Sequence, residues 1–444
     1  MTYIFSDLSK TLKLSFPMML GQFVAISMSF IDTAMLGRGV GTESLAALGF
    51  AINITQILAV TGFGLSAAVT ILTSQAWGAD KKNECIHILR HGFVLVSCYA
   101  FMMISILYLL MENISYVHYL GQRKEIVLLA KPYIYLIATS FIFTYYNACT
   151  RSYCQAQNVV WFPLIIMSST ILINIALNWL LIFGKFGLPQ LGIIGAGIGS
   201  LLSQIIGFIL ISLLLHTNRR FTYNLKKLYV WDFHVSLFKK LTFLGIPICL
   251  DIFGEILGFA ILALFVGHFG DTALAAHHGS LEVSMVLFVV VMSTCDAVSI
   301  RTGQANGNRG ENQKHLIKKS SYLFSIVIGI PFTIIPLIYH HQLPYIFTRD
   351  SEVIRISSQI FIFIACYQFA DIFSLISTGM LNGISDVKAP MIASLIGKLI
   401  FMVPFAYIMG FMFNYKVPGI WSASLVGTYI TALILSWRVH KKIP

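Results

Sequence analysis

Charge is scarce in this 444-residue sequence. Asp, Glu, Lys and Arg make up 11% of it, where a soluble domain carries about 25%. Together with 57% hydrophobic residues, this excludes an ordinary water-soluble domain and leaves an integral membrane protein. The seven cysteines, Cys85, Cys98, Cys149, Cys154, Cys249, Cys295 and Cys366, are scattered. None forms a close CxxC pair, so neither a disulfide framework nor a zinc site is expected. There is no GxxxxGK[ST] loop, so ATP does not drive the chain directly. HExxH, GxSxG and rhomboid-like GxSG motifs are also missing, and no enzyme and no cofactor are expected. The opening "MTYIFSDLSKTLKLSFP" leads into a full-length apolar segment without a small-residue cleavage site, so no cleavable signal peptide is expected.

What is present is apolar length. A membrane helix needs about 20 mainly apolar residues, and twelve segments qualify: 14–36, 46–74, 90–111, 126–148, 159–184, 191–215, 241–266, 273–297, 319–340, 353–380, 389–412 and 418–437. The longest connection, 216–240, mixes charges with aromatics and is expected to lie on the membrane as an interfacial helix. Of the 30 Lys and Arg, 21 fall in the loops on the side of both termini. By the positive-inside rule both termini are cytoplasmic. The same asymmetry explains the net charge of +12, so binding to the lipid bilayer is expected and nucleic acid is not needed.

The two halves repeat. "SFPMMLGQF" (15–23) matches "GIPICLDIF" (245–253) at an offset of 230, and Pro17 and Pro247 each stand 20 residues before a glycine, Gly37 and Gly267. "SLAAL" (44–48) matches "ALAAH" (273–277), and "SQAWGA" matches "GQANGN" at an offset of 229. Six helices separate equivalent points, so the halves share one orientation. The fold expected is all-α: two six-helix lobes related by a pseudo-twofold axis along the membrane normal. The lobes would span 1–215 and 241–444, with 216–240 as the cytoplasmic connector.

The apolar segments contain a few acids. "CLDIFGEILGFA" (249–260) places Asp251 and Glu255 four residues apart, on one helix face. Each acid at a helix centre costs about 2.5–3.5 kcal/mol to insert, so the shared face must meet a wet cavity or a cation. Asp32, Glu282 and Asp371 also lie within segments. Lys131 and Lys398 are the cations available, too few to neutralise every acid. One buried ion pair, or a protonated acid, would account for any single residue; the group points to a cation pathway. Tyr367, one turn before Asp371, can add an oxygen ligand or an aromatic face. In the first half, Asp32, Asn174, Asn178 and Ser200 fall at one depth, and their hard oxygens suit Na⁺ or a proton relay.

Taken together, the twelve segments, Pro17, Gly21, Gln22, Asp32 and Gly37, the repeated "LAA", the paired "SQAWGA" and "GQANGN" turns, and Glu255 with Asp371 resemble the multidrug and toxic compound extrusion (MATE) family. Having both Glu255 and Asp371 resembles its NorM-type bacterial branch. The resemblance implies a secondary active antiporter that exports organic cations in exchange for Na⁺ or H⁺. It further implies a second-lobe cation (Na⁺) site at Glu255, Tyr367 and Asp371, and a first-lobe cluster at Asp32, Asn174, Asn178 and Ser200. A monomer in the bacterial inner membrane is expected. Asp251, an extra acid where the first half has Gly21, and Glu282 depart from the pattern and are accessory candidates. A lipid-linked precursor flippase of the wider superfamily is the related alternative, and an intramembrane enzyme the distant one.

Overall fold

A computed structural model describes residues 2–39, 41–115, 121, 123–218 and 232–443. Part of the expected connector helix, 219–231, lies outside these residues. Twelve long helices are found among them: α1 (Thr2–Gly39), α2 (Thr42–Gly78), α3 (Lys82–Glu112), α4 (Lys124–Ala156), α5 (Trp161–Phe183), α6 (Gly192–Thr217), α7 (Val235–Gly267), α8 (Asp271–Gly307), α9 (Glu311–Ile338), α10 (Ser351–Gly383), α11 (Lys388–Met412) and α12 (Lys416–Lys442). Helices α2 to α12 are each long and apolar enough to cross a membrane, and α1, with 38 residues, carries the first apolar segment. In lipid the backbone must satisfy its own hydrogen bonds, which is why near-continuous apolar sequence resolves into helices.

The internal repeat is written in the backbone. The residue before α2 is Gly41, at φ 101° and ψ 175°; the residue before α8 is Gly270, at φ 105° and ψ 170°. This conformation is essentially restricted to glycine. Past the other ends of the same helices, Asp80 and Arg309 adopt left-handed φ values of 56° and 57°. Both pairs are 229 residues apart.

The chain forms two compact units, Met1–Met19 with Leu250–Pro444, and Leu20–Cys249. Two helices are divided between them. Residues 2–19 of α1 belong to the unit built mainly from the second half, and 235–249 of α7 to the unit built from the first. Pro17 and Pro247 each stand just before the division. A proline removes one helical hydrogen bond and clashes with the preceding turn, so both helices are locally weakened where they pass from one unit to the other.

In the unit Leu20–Cys249, α4 packs against α2, α3 and α6. The start of α7 is pinned to α3 within this unit. His91, fully buried, accepts the His234 backbone N–H through Nε2 at 2.8 Å. Its proton therefore sits on Nδ1, which donates to the His87 carbonyl at 2.7 Å. Arg90 donates to the Asp232 carbonyl.

In the other unit α10 takes the central role, packed on α8, α9 and α12. Its apolar face feeds two clusters. One gathers Phe361, Ile364, Tyr367 and Trp421, the other Ile372, Ile376, Met380 and Leu435. Asp371 lies on α10 between the two.

Candidate cation site

Lys398 is the centre of the site. Its Nζ lies 2.5 Å from Oε1 of Glu255, and its charge also acts on Asp251 and Asp371. Glu255 in turn acts on both of those acids. Asp251 and Asp371 thus lie within electrostatic reach of the Lys398–Glu255 ion pair. With all four ionised, the group carries two negative charges in excess. Lys398 and Asp371 are 7% and 8% exposed, while the Glu255 side chain keeps 29% of its surface open. The cluster is therefore closed on the α10–α11 side and open at Glu255.

Local sequence explains this geometry. Lys398 lies in Leu395–Met402, where α11 opens into π-helical turns. Such turns are often found at functional sites. Gly254 and Gly258 flank Glu255 on α7. A Cβ at Gly254 would stand 2.6 Å from Leu395 Cδ2, and one at Gly258 would stand 2.9 Å from Met402 Cε. These two glycines let α7 and the π-helical segment approach closely enough for the lysine to reach the carboxylate. Behind it, Gly397 and Gly427 cross backbone to backbone: a Cβ at Gly427 would meet the Gly397 carbonyl at 2.6 Å.

Tyr367 is 7% exposed, feels the charge of Asp371 and has Ser284 of α8 as a hydrogen-bonding neighbour. Its ring stacks on Trp421, centroids 6.5 Å apart. Trp421 in turn contacts the ring of His277, at 5.3 Å. Neither nitrogen of the fully buried His277 has a hydrogen-bond partner among the described residues. Glu282 is placed differently: it lies on an exposed face of α8. Lys131, the other candidate cation, pairs with Glu112 at 3.0 Å.

In the unit Leu20–Cys249, α5 and α6 bring three expected residues together. Asn178 Nδ2 donates to Asn174 Oδ1 at 3.1 Å. Asn174 Nδ2 faces Ser203 Oγ at 3.3 Å and Ser200 Oγ at 3.5 Å. Both asparagines are fully buried. Gly199 makes room for the Asn178 amide. The side chain of Asp32 lies outside the described residues.

Sequence reasoning did not single out Ser203, Ser284 or His277. Ser203 lies one helical turn from Ser200, which the sequence did single out, and Ser284 lies two residues from Glu282, but serine is common in such helices. His277 ends the repeated "ALAAH", where the first half has leucine.

The MatE family model matches residues 17–180 and again 247–408. The chain belongs to the MatE family. The two matched stretches begin at Pro17 and Pro247, the same pair that marks the repeat. Curated relatives of this MatE-family chain include the multidrug resistance protein NorM of Photobacterium profundum, 26% identical over 97% of this chain and 94% of its own length. The multidrug resistance protein MdtK of Proteus mirabilis is 28% identical over 96% and 94%. Among solved structures, a mutant of the Vibrio cholerae MATE transporter VcmN is similar with a TM-score of 0.89, at 19% identity over 99% of both chains. A MATE protein in its bent conformation gives 0.88, also at 19% identity, over 100% of this chain and 97% of that one. The protein is a multi-pass membrane transporter of the MATE fold and not an enzyme.

Proposed function

We propose that this transporter is a secondary active multidrug antiporter that exports organic cations in exchange for inward Na⁺ or H⁺. The observation that carries the reading is that three carboxylates, Asp251, Glu255 and Asp371, lie within electrostatic reach of the single ammonium of Lys398. Intramembrane acids are expensive and accumulate on ion and proton routes. A site with two excess negative charges suits a cationic cargo and its counter-cation, which compete for the same charge. A pyrophosphate-bearing lipid would call for the opposite sign, which disfavours the flippase reading.

In this scheme Glu255, Asp371 and the Tyr367 oxygen serve the unit containing α7–α12. Asp32, Asn174, Asn178 and Ser200 serve the first half. Asp251 draws the cation toward Glu255 and Asp371, and Glu282 is accessory. The protein works as a monomer in a bacterial inner membrane with both termini cytoplasmic. Its sequence halves, 1–215 and 241–444, are joined by 216–240. The reading is supported by similarity over nearly the whole length to relatives named multidrug resistance protein NorM and MdtK.

The test is transport by the purified protein in proteoliposomes, with Na⁺ and pH gradients imposed separately and a fluorescent organic cation as cargo. Glu255→Gln, Asp371→Asn and Asp32→Asn should each bring gradient-driven exchange close to the level of empty vesicles while leaving membrane insertion intact. Full exchange in Glu255→Gln or Asp371→Asn would reject these roles.

A further inference from the structure

The pairing of Lys398 with Glu255 bears on which ion is exchanged. It rests on the transport reading above, but its test does not depend on that reading alone. An ammonium and a Na⁺ ion make the same demand on a carboxylate: each is a monovalent cation needing oxygen. At Glu255 Oε1, with Nζ at 2.5 Å, the two are mutually exclusive. Lys398 also has the advantage of its tether, since a group on the same chain acts at high effective concentration. The surroundings favour the seated lysine. The π-helical turns at Leu395–Met402 and the side-chain-free surface of Gly254 and Gly258 bring its stem against α7, and it is almost wholly buried. Methionine has a similar length and lacks the charge, so it separates the lysine's packing from its ion pair with Glu255.

Na⁺ needs several hard oxygen ligands at once, whereas a proton needs one. A lysine that neutralises one of three carboxylates, and places a fixed positive charge among the others, penalises the first far more than the second. We propose that Lys398 is a tethered cation that occupies the Na⁺ position at Glu255 and excludes Na⁺ from it, which leaves H⁺ as the ion exchanged. Glu255 is then the lysine's holder. It matters for transport because, without it, Lys398 is released onto Asp371.

This yields a rescue experiment. Parent, Glu255→Gln, Lys398→Met and the double variant Glu255→Gln/Lys398→Met are reconstituted and assayed with a fluorescent organic cation under a pH gradient or a Na⁺ gradient. The parent should respond to the pH gradient and not to Na⁺. Glu255→Gln should lose exchange, and the double variant should regain it under the pH gradient. If the double variant is as inactive as Glu255→Gln although it inserts and folds, Glu255 itself carries the ion and the proposal falls. Lys398→Met alone, with three carboxylates free, should gain Na⁺ binding. Calorimetric titration of NaCl into the detergent-purified protein should show affinity at least about tenfold above the parent's, a small part of one charge–charge contact at protein dielectric. Equal Na⁺ affinity in parent and Lys398→Met overturns the proposal whether or not any cargo moves. Absence of organic-cation transport in the parent would instead reject the antiporter reading and leave the calorimetry to decide the role of Lys398.

Discussion

Arg301 on α8 grips Asp7 on α1 with both arms of its guanidinium. Nη2 reaches Oδ1 at 2.5 Å and Nη1 reaches Oδ2 at 3.0 Å. Nη1 also meets Thr11 Oγ1 at 2.5 Å and the Asp7 carbonyl at 2.9 Å, and Ser320 donates to Oδ2 at 2.7 Å. Both side chains are under 10% exposed. Asp7 precedes the apolar segment of α1. Burial pushes its carboxyl upward, but the bonds from Arg301 and Ser320 and the charge of Arg301 more than reverse this, leaving it below the ordinary 3.8.

Removing one partner of such a pair leaves a buried charge uncompensated. Arg301→Met should therefore cost about 3–5 kcal/mol, while Asp7→Leu with Arg301→Met should be close to neutral. Thermal unfolding in detergent checks both. The sign of the pH effect follows from the lowered Asp7 value. The stabilisation is complete above the ordinary pKa and is lost as pH falls below about 4 and through the folded value. Asp7→Asn should be less stable than the parent at neutral pH, and the gap should narrow on acidification.

The two glycines that open α2 and α8 separate backbone strain from packing. A Cβ at Gly41 or Gly270 would meet nothing within 4 Å, so the penalty of alanine there is torsional alone. Gly41→Ala and Gly270→Ala should each lower stability by about 1–3 kcal/mol. Gly49, within α2, also has open space around it but is helical, and Gly49→Ala should raise stability by roughly 0.5–1 kcal/mol. Melting temperatures of the three variants in one detergent test this. Equal effects at Gly41 and Gly49 would contradict it.

The asparagine pair on α5 is a chain of donors and acceptors closed off from solvent. Asn178→Leu withdraws the donor from Asn174 Oδ1 and leaves that oxygen buried, at a cost of about 1–3 kcal/mol. Ser203→Ala removes one of two hydroxyls facing Asn174 and should cost less, because Ser200 remains. The ordering of the two variants in thermal unfolding is the measurement.

Much of this architecture was legible before the structure. Apolar length defined the helices because lipid permits little else, and the repeat was visible because proline and glycine mark backbone demands that leucine does not. Asp251 and Glu255 declared themselves by being out of place. The partner of Glu255 was narrowed to two lysines but not chosen, since the choice depends on π-helical turns in "LIGKLIFM", and hydropathy does not distinguish those from α-helix. Ser203 and Ser284 were hidden for a different reason. Serine is small and cheap to place in a membrane helix, so its position carries meaning only once a neighbour such as Asn174 or Tyr367 is seen beside it. The allotment of residues 2–19 and 235–249 was likewise hidden, because an apolar helix does not announce which neighbours will cover it.

That allotment bears on how such a chain is put together. A polypeptide of residues 241–444 alone would lack the opening turns of α1 that complete its unit, together with Asp7 for Arg301. One ending at residue 215 would lack the α7 turns that complete the other. Each half is therefore an unfinished product by itself. If the repeat descends from a gene of half this length, its product was finished only by exchange: two copies, each lending its first helix turns to the other, as in a domain-swapped dimer. Fusion into one gene would then have converted a loan between molecules into a permanent connection within one.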